Sequence, residues 1–372
     1  DMKIPPFELE RFFVPYEFNV KYLLGSSDCQ SMSIQDLLAL ETGASQAFGD
    51  VWLGYTEYEG NPQLRAEIAT LYTQINPAQI LVFSGAEEAI FAYMNTTVGS
   101  GDHIIVHAPS YQSLYEIARA NGCDISFWMA DEVTGWDLDL NWLADNIRPN
   151  TRAVIINTPH NPTGYLMPSD KFDALIEILR PRGIELFCDE VYRGLEHDEK
   201  NRLPAACDSY ELATSLGVMS KTYGLAGLRI GWIATRNSSV YIRMAQFKDY
   251  TTICNSAPSE FLSLIALRQR DKIVKRNLDI IQKNLAVLDD FFVRYKSLIE
   301  WKRPHAGSIG FPRLKWDVNS EAFCVSLIQE RGVMLLPSTC FFAGDKHVRL
   351  GFGRENMTNA LTEFEFYLNS FW

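Results

Sequence analysis

From about residue 60 the chain alternates short, almost uninterrupted apolar runs with stretches of helical periodicity, and this alternation restricts the fold more than any other feature. Residues 79–83, 103–107, 152–157 and 184–188 read as strands. Between them, helices are expected from Asn61-Pro62 onward and over 87–97, 110–120 and 168–179. Asn61 is a good cap, Pro62 suits a first helical turn, and Leu64, Ile68 and Leu71 follow helical spacing. Strands that are apolar throughout are buried on both faces, so the pattern predicts an α/β fold with a mostly parallel sheet covered by helices. In such sheets the loops at the carboxyl ends of the strands hold the ligand.

The rhythm changes near residue 256. Residues 258–298 read as one or two long helices, with Ile273, Leu278, Ile281, Leu285 and Leu288 on an apolar stripe. Residues 305–372 mix strand and helix patterns, as in 348–352 and 357–368. A length of 372 residues fits two or three domains at about 150 residues each. We therefore expect a large domain over 41–275 and a smaller α+β domain from 1–40 together with 276–372.

Charge and cysteine usage narrow the function classes. With 34 Lys+Arg against 46 Asp+Glu the net charge is −12, and no basic cluster offers a nucleic-acid surface. No apolar run reaches the roughly 18–20 residues of a membrane span, and nothing reads as a signal peptide. Seven scattered Cys without a C-x-x-C pair, and only six His, oppose a disulfide framework and a metal site. Buried thiols in a reducing compartment, the cytoplasm, are expected instead.

Four segments at strand ends carry chemistry. In Ser220-Lys221-Thr-Tyr-Gly224-Leu-Ala-Gly-Leu-Arg229, a Lys follows an apolar run, then a Gly-rich turn, then an Arg. A Lys at the mouth of a packed sheet is costly to desolvate while charged, so its pKa falls and its amine becomes a candidate for Schiff-base chemistry. Taken alone, such a Lys is far more often a strand-end residue with its head in water. Asn157-Thr-Pro-His160-Asn161-Pro-Thr-Gly164 forms a constrained loop after one strand, and Cys188-Asp189-Glu-Val-Tyr192 follows the next. Asp189 and Tyr192, three apart at a strand end, can reach one ligand. Ser84-Gly85-Ala86-Glu87 lies at a strand-to-helix turn, where free N–H groups and the helix dipole favour an anion.

Together these segments, over roughly residues 50–355, resemble the fold-type I, class I/II aminotransferases that use pyridoxal 5′-phosphate (PLP). The resemblance implies a seven-stranded sheet in the large domain and a PLP cofactor. It makes Lys221 the lysine of the internal aldimine, pairs Asp189 with the pyridine nitrogen, and sets Asn161 and Tyr192 on the ring's phenolic oxygen. Tyr111 matches the aromatic residue stacked on the ring. The phosphate falls to Gly85, Ala86, Glu87, Ser220 and Arg229; Val218 stands where the family often has Ser or Thr, so one phosphate contact is missing. Arg349, in His347-Val-Arg-Leu-Gly351, matches the Arg that binds the substrate α-carboxylate, with Gly25 and Asn161 nearby. Tyr55, in Gly54-Tyr-Thr-Glu-Tyr-Glu-Gly60-Asn-Pro-Gln-Leu64-Arg65, matches a Tyr that crosses to a partner subunit's phosphate, which implies a homodimer with composite sites.

The activity implied is transfer of the amino group of an α-amino acid to a 2-oxo acid by a ping-pong cycle, with Lys221, Asp189 and Tyr192 as the catalytic set. A looser similarity, over residues 7–12 and the Lys221 segment, to capreomycidine synthase-like enzymes keeps a PLP lyase or cyclase open as the alternative. The aromatic-rich residues 12–18 suggest a cover over the site mouth, or plain packing.

Overall fold

The computed structural model describes residues 4–371. The four expected runs form strands β1 Ile80–Phe83, β2 His103–Ala108, β4 Thr151–Asn157 and β5 Glu185–Asp189, and β3 Asp124–Met129, β6 Ala213–Val218 and β7 Gly231–Thr235 join them. They make one seven-stranded sheet in the order β1-β7-β6-β5-β4-β2-β3. β2, β3, β4, β5 and β6 run parallel, whereas β7 is antiparallel to both of its neighbours, β1 and β6.

Alternating side chains of the central strands feed opposite faces. Ile104, Val106, Ala153, Ile155 and Phe187 join one buried cluster, and Ile105, Val154, Ile156, Leu186 and Cys188 join another. Both faces are dry, which is why these strands are apolar at every position. Each fully buried aliphatic or aromatic side chain contributes about 1.5–3 kcal/mol, so a slip of the sheet by one residue would gain little and cost its register with the helices.

The covering helices start where the sequence supplies caps. Asn61 accepts from the Gln63 and Leu64 N–H groups to open Pro62–Ala69. Ala86–Thr97 opens at Gly85, immediately after β1. The helix expected over 110–120 begins only at Ser113, because residues 109–112 form a loop tied to the N-terminal segment: the Glu8 N–H donates to Gln112 Oε1 and Gln112 Nε2 donates to the Pro6 carbonyl. The long helical region divides at Gln269 into Ala257–Arg268 and Arg270–Arg294. Ile273, Ile281, Leu285 and Leu288 are buried as the stripe requires, and Leu278 packs against the same core from a partly exposed position.

Residues beyond 295 build short antiparallel strands, Leu336–Pro337 pairing with Val348–Gly351 and that with Ile309–Gly310, flanked by Ser320–Arg331 and Met357–Asn369. The N-terminal segment threads into this unit. Tyr22 bridges Val333, the Gly25 N–H donates to the Met334 carbonyl, and the Gly351 N–H donates to the Leu24 carbonyl. Residues 34–38 turn the other way, with Leu37 and Leu38 in the cluster that holds Leu64 and Leu262. Residues 1–3 and 372, part of the expected small domain, lie outside the described residues. No described helix is long and apolar enough to cross a membrane.

Gly351 locks the 24–26 segment against the strand that carries Arg349: a Cβ there would lie 2.0 Å from the Ser26 carbonyl oxygen. Gly351→Ala is expected to destabilise the chain by about 2 kcal/mol, read as a lower denaturation midpoint. An unchanged midpoint would show that the 24–26 segment is not held there.

Candidate active site

The chemistry gathers at the carboxyl ends of β4, β5 and β6. Asn157 and Asp189 are the last residues of adjacent parallel strands and lie in register. Buried Asn157 ties the two loops that follow. Its Nδ2 donates to the Asp189 and Pro159 carbonyls, each at 3.0 Å, and its Oδ1 accepts from the Asn161 N–H at 2.7 Å. The positions of Asp189 and Asn161 are thereby coupled through one amide. Lys221 lies three residues past the end of β6, in a loop closed by hydrogen bonds from the Gly224 N–H to the Lys221 carbonyl and from the Leu225 N–H to the Met219 carbonyl.

Asp189, Tyr192, Asn161, Lys221, Ser220, Tyr111, Ala86, Glu87, Arg229 and Arg349 all line one cavity of about 370 Å³. Val218 is on its wall too, an apolar side chain where a hydroxyl would be usual. Gly25 does not line it but faces it indirectly: its carbonyl accepts from Arg349 Nε at 3.0 Å and Nη2 at 2.9 Å. Gly85 shapes the anion end, since a Cβ on it would meet Arg229 Nη2 at 2.7 Å. The Arg229 guanidinium thus rests on the glycine at the start of the 12-residue helix Ala86–Thr97, a place suited to a phosphate. Tyr55 is the outlier. It is 88% exposed and does not reach the cavity of its own chain.

Burial shifts the titrating groups. Burial, then the Arg349 charge, lowers the Lys221 amine to about 8, against the opposing pull of Asp28, Glu10 and Asp189. Lys221 Nζ donates to Ser27 Oγ at 2.6 Å. Burial pushes the Asp189 carboxyl up to about 7, with the Val191 N–H (3.2 Å to Oδ1) and the Lys221 charge pulling it back. A cation beside it would hold it ionised, so a pyridinium and this carboxylate reinforce each other's charge. The Tyr192 side chain is buried, its hydroxyl raised above its ordinary value by that burial, and its oxygen lacks a well-formed hydrogen bond among the described residues although Ser27 lies beside it. A buried phenol aimed into a cavity suits a ligand oxygen.

Arg349 is only 2% exposed, and its described hydrogen-bond partners, the Gly25 carbonyl and Asn161 Oδ1 (3.1 Å), are neutral. Three of its five N–H groups are used, leaving one on each terminal nitrogen, the fork a carboxylate takes bidentately. The residues therefore fit PLP with an amino acid: an amine near neutral pK, a buried acid, a free phenol, an anion cradle and a buried guanidinium.

Several wall residues were absent from the sequence-based set. Leu9, Glu10, Phe13 and Glu17 come from the N-terminal segment, and Ser26, Ser27, Asp28 and Arg354 surround them. Arg354 and Asp28 form a two-point pair, Nε to Oδ1 and Nη2 to Oδ2, both 2.9 Å. The aromatic content of residues 12–18 was the one available signal for the first group.

Comparison with known proteins agrees with this geometry. The family model for aminotransferase class I and II matches residues 21–364. A solved PLP-dependent aminotransferase from Streptococcus suis superposes with a TM-score of 0.94 at 32% identity, covering 100% of this chain and 99% of the other. An aspartate aminotransferase of Sulfolobus acidocaldarius is 28% identical over 83% of this chain and 80% of its own. Capreomycidine synthase of Streptomyces vinaceus is 26% identical over 94% of this chain and 90% of its own. The chain belongs to the class I and II aminotransferases, enzymes that depend on pyridoxal 5′-phosphate.

Proposed function

We propose that the enzyme moves the amino group of an α-amino acid to a 2-oxo acid in two half-reactions at this cavity, with Lys221 as the residue that bonds the cofactor. The observation that carries this reading is that Lys221, its amine lowered to about 8, and buried Asp189 face one cavity. Bound there, PLP supplies an electrophilic aldehyde and an electron sink. Asp189 orients the ring and keeps its nitrogen charged. Asn161 and Tyr192 donate to the ring's phenolic oxygen, and Tyr111 covers a ring face. The N–H groups at Gly85, Ala86 and Glu87, with Ser220 and Arg229, hold the phosphate. Arg349 takes the α-carboxylate beside Gly25 and Asn161, which fixes the donor's Cα–H near the Lys221 amine. With the cofactor held there, the Lys221 amine would be the group placed to accept and return a proton near neutral pH.

We further propose a homodimer in which Tyr55 completes the neighbouring site. Support comes from Tyr55 itself and from Trp52, Leu53, Tyr58 and Tyr250, all largely exposed although apolar or aromatic. A cytoplasmic setting is supported by seven cysteines without a disulfide. A second reading, elimination or cyclisation at the same site, is favoured by the likeness to capreomycidine synthase across 94% of the chain. Formation of a 2-oxo acid from the donor, with return of the amino group to a second 2-oxo acid, supports transfer; ammonia release or a cyclic product without an acceptor supports the second reading.

Capture of PLP by cofactor-free protein requires the uncharged amine. Its rate, followed by absorbance, should therefore rise with pH through a midpoint near 8, not near the 10.5 of an ordinary lysine. A rate still climbing at pH 10 would contradict the lowered amine. Arg349→Ala should raise the amino-acid KM on the order of 10²-fold, from loss of a buried charge-assisted pair, and Arg349→Lys about tenfold, because it keeps charge but not the fork. An unchanged KM in both would remove Arg349 from the substrate site.

A further inference from the structure

Resting on the reading above, we propose that Ser27 is a positioning residue for the Lys221 amine: its hydroxyl holds the free amine at the cavity wall and accepts a hydrogen bond from it while the amine carries the proton taken from the donor's Cα. The two residues are 194 positions apart in the chain, and Lys221 Nζ donates to Ser27 Oγ at 2.6 Å. Both line the cavity. Lys221 is in no ion pair among the described residues, and Asp28, next to Ser27, is taken by Arg354 through two 2.9 Å contacts. The amine is therefore met by a neutral hydroxyl rather than by a carboxylate.

That hydroxyl is held in place from both sides of its segment. Ser27 is buried, and its carbonyl accepts from the buried Ser308 Oγ at 2.7 Å. Before it, the Ser26 carbonyl packs on Gly351; after it, the Gln30 N–H donates to the Gly353 carbonyl at 2.8 Å. A Cβ on Gly353 would lie 2.5 Å from the Asp28 carbonyl oxygen, so the backbone is closed on the segment there too. With its oxygen on the amine, the Ser27 hydroxyl keeps its own hydrogen for the Tyr192 oxygen beside it, and Tyr192 keeps its hydrogen for a ligand.

The chemistry of the amine explains why a hydroxyl suits this place. The proton arrives on the Nζ lone pair and leaves from the same nitrogen, and Ser27 exchanges none. A buried ammonium without a partner is costly, so an apolar side chain at position 27 would make the amine a poorer proton acceptor. A carboxylate there would hold the amine protonated and slow the return of the proton. A hydroxyl bonds the amine in either state.

The charged groups around Lys221 act from further off. Asp28, Glu10 and Glu17 face it from the N-terminal segment, together with Cys29, whose thiol burial pushes up to about 12. Asp189 and Tyr192 face it from the end of β5, and Arg349 and Arg354 from the C-terminal unit. Glu87, Tyr111 and Arg229 line the rest of the cavity. All of these stay in place when Ser27 is exchanged, so a change in the titration of the amine reports the hydroxyl.

The test starts from cofactor-free protein. Acetic anhydride reacts with the uncharged amine, so labelling of the Lys221 peptide against pH, read by mass spectrometry, gives the midpoint of the amine without PLP. The rate of PLP capture, read by absorbance, gives it a second time. Both midpoints should lie near 8 in the unaltered protein. In Ser27→Ala both should fall by about one pH unit or more, the weight of a lost hydrogen bond to a charged group. Ser27→Thr, which keeps the hydroxyl, should hold them near 8, and Ser27→Asp should raise them by about one unit or more. Ser27→Ala keeps the backbone bond from Ser308, and a role in packing alone would leave the midpoints where they were. Unmoved midpoints in Ser27→Ala, in protein that still captures PLP, overturn the role of Ser27 alone. Protein that takes up no PLP overturns the functional reading, and this inference with it.

Discussion

The site depends on keeping two buried groups of opposite tendency, an amine and a carboxyl, on one cavity at the ends of neighbouring strands. Burial lowers the Lys221 amine to about 8 and raises the Asp189 carboxyl to about 7, so both titrate close to neutral pH. Neither would be tolerated in an apolar core without a partner, because an isolated buried charge costs several kcal/mol. In the function proposed here a ring would lie between them: a pyridinium would hold the acid ionised, and the amine would serve as nucleophile and base. The parallel sheet makes this possible. β5 and β6 lie side by side; β5 ends at Asp189, and the loop that leaves β6 carries Lys221 to the same end of the sheet.

The rest of the molecule secures that arrangement. Asn157, in register with Asp189, holds the loop of Asn161 through two hydrogen bonds and Asp189 through a third, and Asn161 in turn bonds Arg349 from the C-terminal unit. Arg349 reaches back to the Gly25 carbonyl, and Gly351 two residues on packs against Ser26. A chain of polar contacts thus runs from the sheet to the C-terminal unit and to the N-terminal segment. The N-terminal helix Glu8–Phe13 completes the wall and is tied to the loop of Tyr111 through Gln112.

Much of this was legible in the sequence because the central strands are buried on both faces and therefore apolar at every position. Strands β2, β4 and β5 were readable to within a residue for that reason. β3 was not: its residues Asp124–Met129 lie at the sheet edge with mixed exposure, and their pattern is neither continuous nor cleanly alternating. The reversal of β7 was hidden as well, since its direction is set by pairing with β1, about 150 residues earlier in the chain. The cavity residues that follow strands, such as Asp189 and Lys221, were visible as polar exceptions after apolar runs. Glu10 and Glu17 were not, because nothing local distinguishes a glutamate at a cavity wall from one in solvent; the fold alone brings them across about 200 residues to Lys221. Tyr55 stayed apart: it is largely exposed and lies on no wall of its own chain's cavity.

The most direct measurement is to load the protein with PLP, reduce it with borohydride and locate the cofactor by peptide mass spectrometry. This account predicts one pyridoxyl adduct, on the peptide that carries Lys221. An adduct on another lysine, or none on a protein that has turned yellow, would contradict it.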